Sequence, residues 1–543
     1  MTSASDPLTA MSPPIKGISL GLTRIHRLLS LLRSPHHATP VVHIAGTNGK
    51  GSVSAYLSSI LQHGGGIATG RFNSPHLVDE WDCIHLHGRP VDEGTFREAK
   101  RKVEHTSEAN QVGATSFEVL TATAFQLFAN AIPPVEIAVV EVGMGGSEDA
   151  TNLVPAEQTL LSVVTAVDLD HQKFLGDTVA QIARVKAGIV RPEGDVVVSA
   201  QAHEEARIAI AETARERHAR LWQAGEASLV DVGSGERETD SQTSTTALPP
   251  APLASIPLLP GSSSHPLPST LTTTAVARTL TARLPLPGSY QLQNAATAVL
   301  CASLLRSLPR TRHLVPALET RLTDEAIRKG VEATRWPGRL SWISLPATAT
   351  PTASSDDYDA PLVLLDGAHN PSSARLLASY LSSLPEHLSP STLIVSISAP
   401  RDPADVVRPL LESLLSAPST STAGSRLGQK KRRLRVVCCG FSTPVGMDWV
   451  RATPPAELAS RVSEVASSLS ADVDVKVLTA TNAEEALALA AAADSTAEEG
   501  ETTATPRGRR SPIVVAGSLY LVADVMGHVR RIESESGRTV QVP

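Results

Sequence analysis

Residues 40 to 61, PVVHIAGTNGKGSVSAYLSSIL, place a β-branched run, a glycine-rich loop and an apolar helical repeat in immediate succession. "PVVHIA" has little polar alternation and reads as a strand buried on both faces, while Val53, Leu57, Ile60 and Leu61 recur at helical spacing behind the loop. Between them, glycines at 46, 49 and 51 let backbone N–H groups turn toward an anion at the positive end of the following helix. Lys50 adds a mobile cation and Ser52 a hydroxyl, as in a phosphate-binding loop. The common pattern closes Gly-Lys-Ser/Thr, whereas here Gly51 separates Lys50 from Ser52.

The same alternation recurs downstream. "IAVVEVG" (137–143) and "LLSVVTAV" (160–167) are further strand-like runs, and strand followed by helix, repeated, is the mark of an α/β sheet. After Arg339, "PLVLLDGAHN", "TLIVSIS", "LRVVCCG", "DVKVLTA" and "SPIVVAGSLYL" supply strands, with helices such as 372–384 and 483–493 between them. The chain has 543 residues, more than the roughly 250 to 300 that one hydrophobic core serves. Two α/β domains are expected, at 1–342 and 343–543, with a linker near 340–345. The stretch from about Gly233 to Thr274 is dominated by Ser, Thr, Pro and Ala; most of it reads as a disordered surface insertion. Segments 347–358, 416–433 and 494–511 read as shorter expanded loops.

Composition narrows the functional classes. A 41% hydrophobic and 19% charged chain fits a globular enzyme, and a formal net charge of −7 gives no general attraction to nucleic acid or anionic membranes. The basic cluster Lys430, Lys431, Arg432, Arg433 and Arg435 borders a polar loop and reads as a solvated face. Four cysteines make neither a disulfide framework nor a spaced metal motif, and Cys438 and Cys439 read as strand residues. "MTSASDPLTAMSPPIKG" carries no signal-like apolar run, so the cytosol is the expected compartment, with a mitochondrial location left open.

A second glycine cluster, "EVGMGGSED", fails as a dinucleotide fingerprint because Glu148 stands at the third glycine position and would repel a pyrophosphate. Glu141 ends one strand and His171 follows the next, so a parallel sheet brings both to the edge that carries the phosphate loop. There they could hold Mg²⁺ against a nucleotide, although a hard cation prefers oxygen. Each reads equally well as a satisfied structural residue.

The ordered set "GTNGKGS", "SPHL", "EVGMGG", "DATN", "DLDH", "KAGI", "NAATA", "WPGR" and "DGAHNP" resembles the Mur-ligase superfamily and, within it, the dihydrofolate synthase and folylpolyglutamate synthase family. The resemblance implies a P-loop NTPase-like central Mur-ligase domain followed by a smaller Rossmann-like α/β domain. It also implies a monomeric ATP- and Mg²⁺-dependent ligase, in which a carboxylate of dihydropteroate or a folate is phosphorylated and then attacked by the amine of L-glutamate. Carried onto this chain, the phosphate loop falls on Asn48, Gly49, Lys50, Gly51 and Ser52, further ATP contacts on Asn294, Arg339 and Asp366, and Mg²⁺ ligands on Ser74, Glu141 and His171. Lys186 matches a lysine that the family carries as a carbamate able to bind a second Mg²⁺; Lys50, Lys186 and His171 are thus the expected catalytic residues. Pteroate contacts fall on Ser19, Leu20 and Gly21, on Thr115, Ser116 and Phe117, and on Glu148, Asp149 and Ala150. The chain departs from the family at Val185, where a Glu is usual, and at Ser147 and Glu148, where Arg-Leu is common. Asn370, "DHQKFLG" and "VGMDWVRATPPAEL" resemble dihydrofolate synthases more than eukaryotic folylpolyglutamate synthases, and so favour dihydropteroate as acceptor. Polyglutamate synthesis, a bifunctional enzyme and a P-loop switch without ligase chemistry are the alternatives.

Overall fold

An apolar strand without alternation needs cover on both faces. In β1 (Val41–Ala45) every residue is buried, Val42 and Ile44 against one core and Val41 against another. The computed structural model describes residues 21–230, 251–259, 278–345, 361–416, 433–444, 447, 450–469, 474–492 and 511–536. Its first sheet joins β1 to β2 (Thr69–Phe72), β3 (Ile84–Leu86), β4 (Arg89–Pro90), β5 (Ile137–Glu141), β6 (Thr159–Val164), β7 (Asp195–Val198) and β8 (Arg220–Gln223). The spatial order is β4-β3-β2-β5-β1-β6-β7-β8, parallel from β2 to β8, with β3 and β4 antiparallel at one edge. Both neighbours of β1 come later in the chain, so its carboxyl end opens the crevice in which such sheets bind ligands.

Helices Lys50–Ser59 and Tyr290–Ser307 pack on the Val42/Ile44 face, and Thr23–Leu31 and Ser116–Ala129 on the opposite one. Three antiparallel strands extend the first core: β9 (Ser228–Leu229), β10 (Leu253–Leu258) and β11 (Arg278–Arg283). The expectation that most of 233–274 is a disordered insertion holding almost nothing able to form a core needs correction in one segment. Within that stretch "LASIPL" alternates, and Ala254, Ile256 and Leu258 turn inward to join the same core as the phosphate-loop helix. Most of the remainder of the stretch, all of 347–358, and most of 416–433 and 494–511 lie outside the described residues.

The second sheet contains β12 (Ser341–Ser344), β13 (Leu362–Leu365), β14 (Thr392–Val395), β15 (Arg433–Cys438), β16 (Asp474–Thr479) and β17 (Ile513–Ala516). They lie in the order β12-β13-β17-β14-β15-β16, all parallel except β12. The expected linker at 340–345 is therefore largely a strand: Ser341 pairs with Leu365 and Trp342 with Leu364. We propose the junction between the two units just before it, where Gly338 (φ +79°) and Leu340 (φ +44°) turn the chain. Two mainly parallel sheets with helical cover form the mixed α/β architecture expected from the sequence. Cys438 and Cys439 are free and buried; Cys438 ends β15 as expected of a strand residue, whereas Cys439 lies one residue beyond the strand. Among the described residues no helix is long and apolar enough to cross a membrane.

Candidate active site

The phosphate loop is shaped by close approach from three directions. A Cβ on Gly46 would collide with Thr165 Oγ1, one on Gly49 would stand 2.5 Å from Asn294 Oδ1, and one on Gly51 would stand 2.5 Å from the Trp336 ring. Gly46 (φ +149°) and Gly49 (φ +89°) also adopt backbone angles that favour glycine. The amides of Thr47 and Asn48 donate to Ala166 O, at 2.9 and 3.0 Å, and pin the loop to the end of β6. The first intrahelical bond runs from Val53 N to Gly49 O, so the amides of Lys50, Gly51 and Ser52 have no acceptor within the helix and are available to an anion. Lys50 Nζ rests on Gly46 O (3.2 Å) and Thr47 O (3.3 Å), 3.8 Å from Glu141 Oε1.

These groups open into a cavity of about 590 Å³, which Ser74, Glu141, His171, Arg339 and Asp366 also line. Glu141 sits at the end of β5 opposite Ile44, and its Oε2 accepts Asn73 Nδ2 at 2.6 Å. Burial raises its carboxyl pKa, opposed by Lys50 and by the Asn73 bond. His171 precedes the short helix Gln172–Leu175 at φ +50°, with Nε2 3.7 Å from Asp170 Oδ2. Burial lowers its pKa although Asp170 opposes the change, so the neutral ring able to bind a metal is favoured. Among the described residues no three His, Cys, Asp or Glu side chains gather as a closed metal site. One carboxylate, one hydroxyl and one imidazole suit instead a cation that completes its shell with water and phosphate oxygens. Asn73 Oδ1, buried without a hydrogen-bond partner at this edge, fits that demand for oxygen.

Lys186 borders a side cavity of about 20 Å³ that shares Thr47, Lys50, Gly143, Asp170 and His171 with the main one. Its buried Nζ donates to Gly46 O at 2.9 Å, and burial, followed by the charge of Lys50, pushes its pKa down to about 7. A large neutral fraction near neutrality is what carbamate formation requires. Val185, in place of the family's Glu, packs against the Gly145 turn and offers only its backbone carbonyl, to Ser147 N and Gly188 N.

Asn294 lies behind the loop rather than on the cavity wall. Its Nδ2 donates to Gln291 Oε1 (3.0 Å), and Gln291 Nε2 in turn reaches Ser52 Oγ (3.3 Å). Asp366 joins two backbone segments, accepting Leu340 N and Ala368 N at 2.9 Å each. Arg339 lies against Gly367, where an added Cβ would meet its guanidinium. Sequence reading missed His369 and Arg401. His369 lines the cavity and bonds Gly367 O through Nδ1 at 2.8 Å, while Arg401 holds His369 O at 2.6 Å and stands 3.9 Å from Asp170. His369 stood inside the motif "DGAHNP", whereas no local signal marked Arg401. Asn370, read as a marker of acceptor choice, caps the helix Pro371–Ser383 by accepting Ser373 N.

The described residues among those assigned to pteroate lie toward the opposite face of the first sheet, outside the large cavity. Ser19 and Leu20 lie outside the described residues. Gly21 N donates to Glu148 O at 3.4 Å. Thr115 caps the helix Ser116–Ala129 in a capping box with Glu118, which also pairs with Arg24. Asp149 accepts Met144 N, Thr151 N and Thr151 Oγ1, and Ala150 is core. Phe117 stacks on Phe72 at 6.2 Å between centroids and abuts Gly143, which both cavities share.

Family profiles match most of the chain: the Mur ligase middle domain over residues 44–302, and the dihydrofolate synthetase C-terminal domain over 352–422 and 430–528. A probable dihydrofolate synthetase of Schizosaccharomyces pombe is 30% identical over 517 residues, covering 94% of this chain and 99% of that protein. The dihydrofolate synthetase of Saccharomyces cerevisiae is 28% identical over 510 residues, covering 94% and 97%. Among solved structures, the Mycobacterium tuberculosis folylpolyglutamate synthase complexed with ADP and AMPPCP superposes with a TM-score of 0.67 at 25% identity, over 96% of each chain. With relatives matched almost end to end and a phosphate cradle at the switch point of a Mur-type sheet, this chain belongs to the dihydrofolate synthetase family of Mur ligases.

Proposed function

We propose that the enzyme ligates L-glutamate to the carboxylate of 7,8-dihydropteroate with ATP and Mg²⁺, giving dihydrofolate through an acyl phosphate. The observation that carries this reading is the convergence of Lys50, Glu141 and Lys186 on two cavities that share wall residues at one sheet edge, in a chain whose full-length relatives are dihydrofolate synthetases. A carboxylate is a poor electrophile, and phosphorylation supplies its leaving group. Lys50 and the helix amides hold the phosphates and offset their charge, while Arg339 and Asp366 meet the nucleotide from the junction and help exclude water. Bound at Ser74, Glu141 and His171, Mg²⁺ would screen the charge that repels an approaching carboxylate. Lys186, as carbamate, would hold a second ion. Residues 19–21, 115–117 and 148–150 would hold the pteroate. Small-molecule substrates suffice for this chemistry; we read the protein as a cytosolic monomer without nucleic-acid or membrane partners, a reading the net charge of −7 supports.

Likeness to a folylpolyglutamate synthase favours a second acceptor, the γ-carboxylate of a folate glutamate. Purified enzyme given ATP, Mg²⁺ and glutamate, with either dihydropteroate or tetrahydrofolate, separates the two. Product from dihydropteroate supports the proposal, and product from both makes the enzyme bifunctional. Product from tetrahydrofolate alone sinks it, and ATP turnover indifferent to glutamate would point to a nucleotide switch.

A further inference from the structure

The phosphate cradle occupies one end of the large cavity. From there the space runs along the helix Lys50–Ser59 toward His63, between β2 and β3 on one side and the turn Ala333–Trp336 on the other. None of the residues assigned to ATP, Mg²⁺ or pteroate accounts for this lobe. Its chemical centre is Arg71 of β2, only 8% exposed. The guanidinium carbon lies 4.9 Å from the Trp336 ring centroid, and Nη2 meets the ring nitrogens of His85 at 2.9 and 3.2 Å. Arg71 Nε is buried without a partner, as is the hydroxyl of Ser58 on the same cavity wall.

Among the described residues Arg71 pairs with no carboxylate; the charge of Glu141 reaches it only through space. His85 cannot serve as its counter-ion. Burial and the adjacent guanidinium push the imidazole down to about 3, so it stays neutral and fixes the fork in place. Asp82, at the same cavity, is engaged by Arg530 and by the amides of Val78 and Asp79. A buried guanidinium with no counter-ion is costly to keep, and its planar fork suits a carboxylate. His63 and Arg335 on the wall leave the lobe rich in groups that favour an anion.

We propose that this lobe is a carboxylate subsite in which Arg71, backed by Trp336 and oriented by His85, takes a carboxylate of a glutamyl group, with Ser58 as a second donor. The inference rests on the ligase reading. The same chemistry has two sources, free L-glutamate as substrate and the glutamyl tail of the dihydrofolate product, and kinetics separates them.

Arg71→Gln and Arg71→Lys enzymes, checked for folding by thermal melt, are assayed for the KM of glutamate, ATP and dihydropteroate and for inhibition by dihydrofolate. With glutamate as occupant, Arg71→Gln raises the glutamate KM about tenfold or more while the ATP KM stays within about twofold, and Arg71→Lys recovers part of the loss. With the product tail as occupant, dihydrofolate inhibition weakens instead and the glutamate KM holds. Unchanged glutamate KM and unchanged inhibition overturn the proposal, and so does an equal rise in the ATP KM, which would give the lobe to the nucleotide. Should the Arg71 variants fail to fold, Ser58→Ala carries the same test, with a rise of about threefold in whichever parameter the occupant governs. Wild-type enzyme that ligates glutamate while its variants are unaffected defeats only this inference. Wild-type enzyme that ligates no glutamate at all defeats the functional reading and this inference with it.

Discussion

The Trp336 ring lies so close to Gly51 that a Cβ there would stand 2.5 Å from it. Gly51 is an ordinary helical residue by backbone angle, and what it supplies is space. The additional glycine of the phosphate loop is thus a contact surface for the "WPGR" turn, and it couples the loop to the junction that carries Arg339. Gly51→Ala must displace either the indole or the helix start. We expect a loss of about 1–3 kcal/mol in stability, typical of overpacking, with a disproportionate fall in kcat/KM for ATP. Urea unfolding alongside steady-state kinetics checks both; an unperturbed kcat/KM would mean that the contact is incidental.

Lys50 offers its charge to the cavity from a bed of two loop carbonyls. Lys50→Ala should cut ligation by about 100-fold or more while leaving the fold intact, since the lost cation acts on phosphate rather than on packing. Product formation near the wild-type rate would remove this loop from the chemistry.

The buried ammonium of Lys186 gives a pH dependence of defined sign. Its pKa is pushed from the ordinary 10.5 to about 7, so between those values the unfolded chain binds more protons than the folded one. This residue's contribution to stability therefore improves as pH rises from about 7, and is at its least favourable below that. Melting temperature followed across this range in CO₂-free buffer should show the rise, and Lys186→Met should flatten it. Activity should increase with bicarbonate over the same interval, and Lys186→Ala should regain some turnover with short carboxylates. Full activity in the variant without rescue would take the carbamate out of the mechanism.

Arg530 binds Asp79 (2.8 Å) and Asp82 (3.3 Å), joining the last described helix to the segment between β2 and β3. The pair is partly exposed, so Arg530→Ala should lower stability by less than about 1 kcal/mol. Because Asp82 and Arg530 line the cavity, the ATP KM should rise a few-fold. High salt should reproduce that rise in wild type and change the variant little. A variant with wild-type KM at every salt concentration would show that the bridge does not bear on nucleotide binding.

What could be read from the sequence followed periodicity. β1 and its helix were legible because the chain switches abruptly from an unbroken apolar run to a 3.6-residue repeat, with glycines between. β10 was hidden because six alternating residues sit inside a Ser/Thr/Pro-rich stretch whose composition argues against structure. "SWIS" at β12 is short and half polar, and its inward Trp342 is recognisable only once β13 is placed beside it. Arg71 gave no signal in "TGRF", because its environment is made by Trp336, far downstream. Motif matching found the groups at the sheet edge but could not separate wall from support. Asn294 and Asn370, both quoted from motifs, have their side chains turned to local bonds.

Asp366 ties the Leu340 amide to the Ala368 amide, with Arg339 on one side of that tie and the "DGAHN" turn on the other. Two residues past Arg339 the chain enters a ladder with the very strand that ends at Leu365. The two junction groups assigned to ATP are therefore one mechanical part, geared to the second sheet. In the proposed role the two would meet the nucleotide together, since neither can shift without the ladder that carries the other.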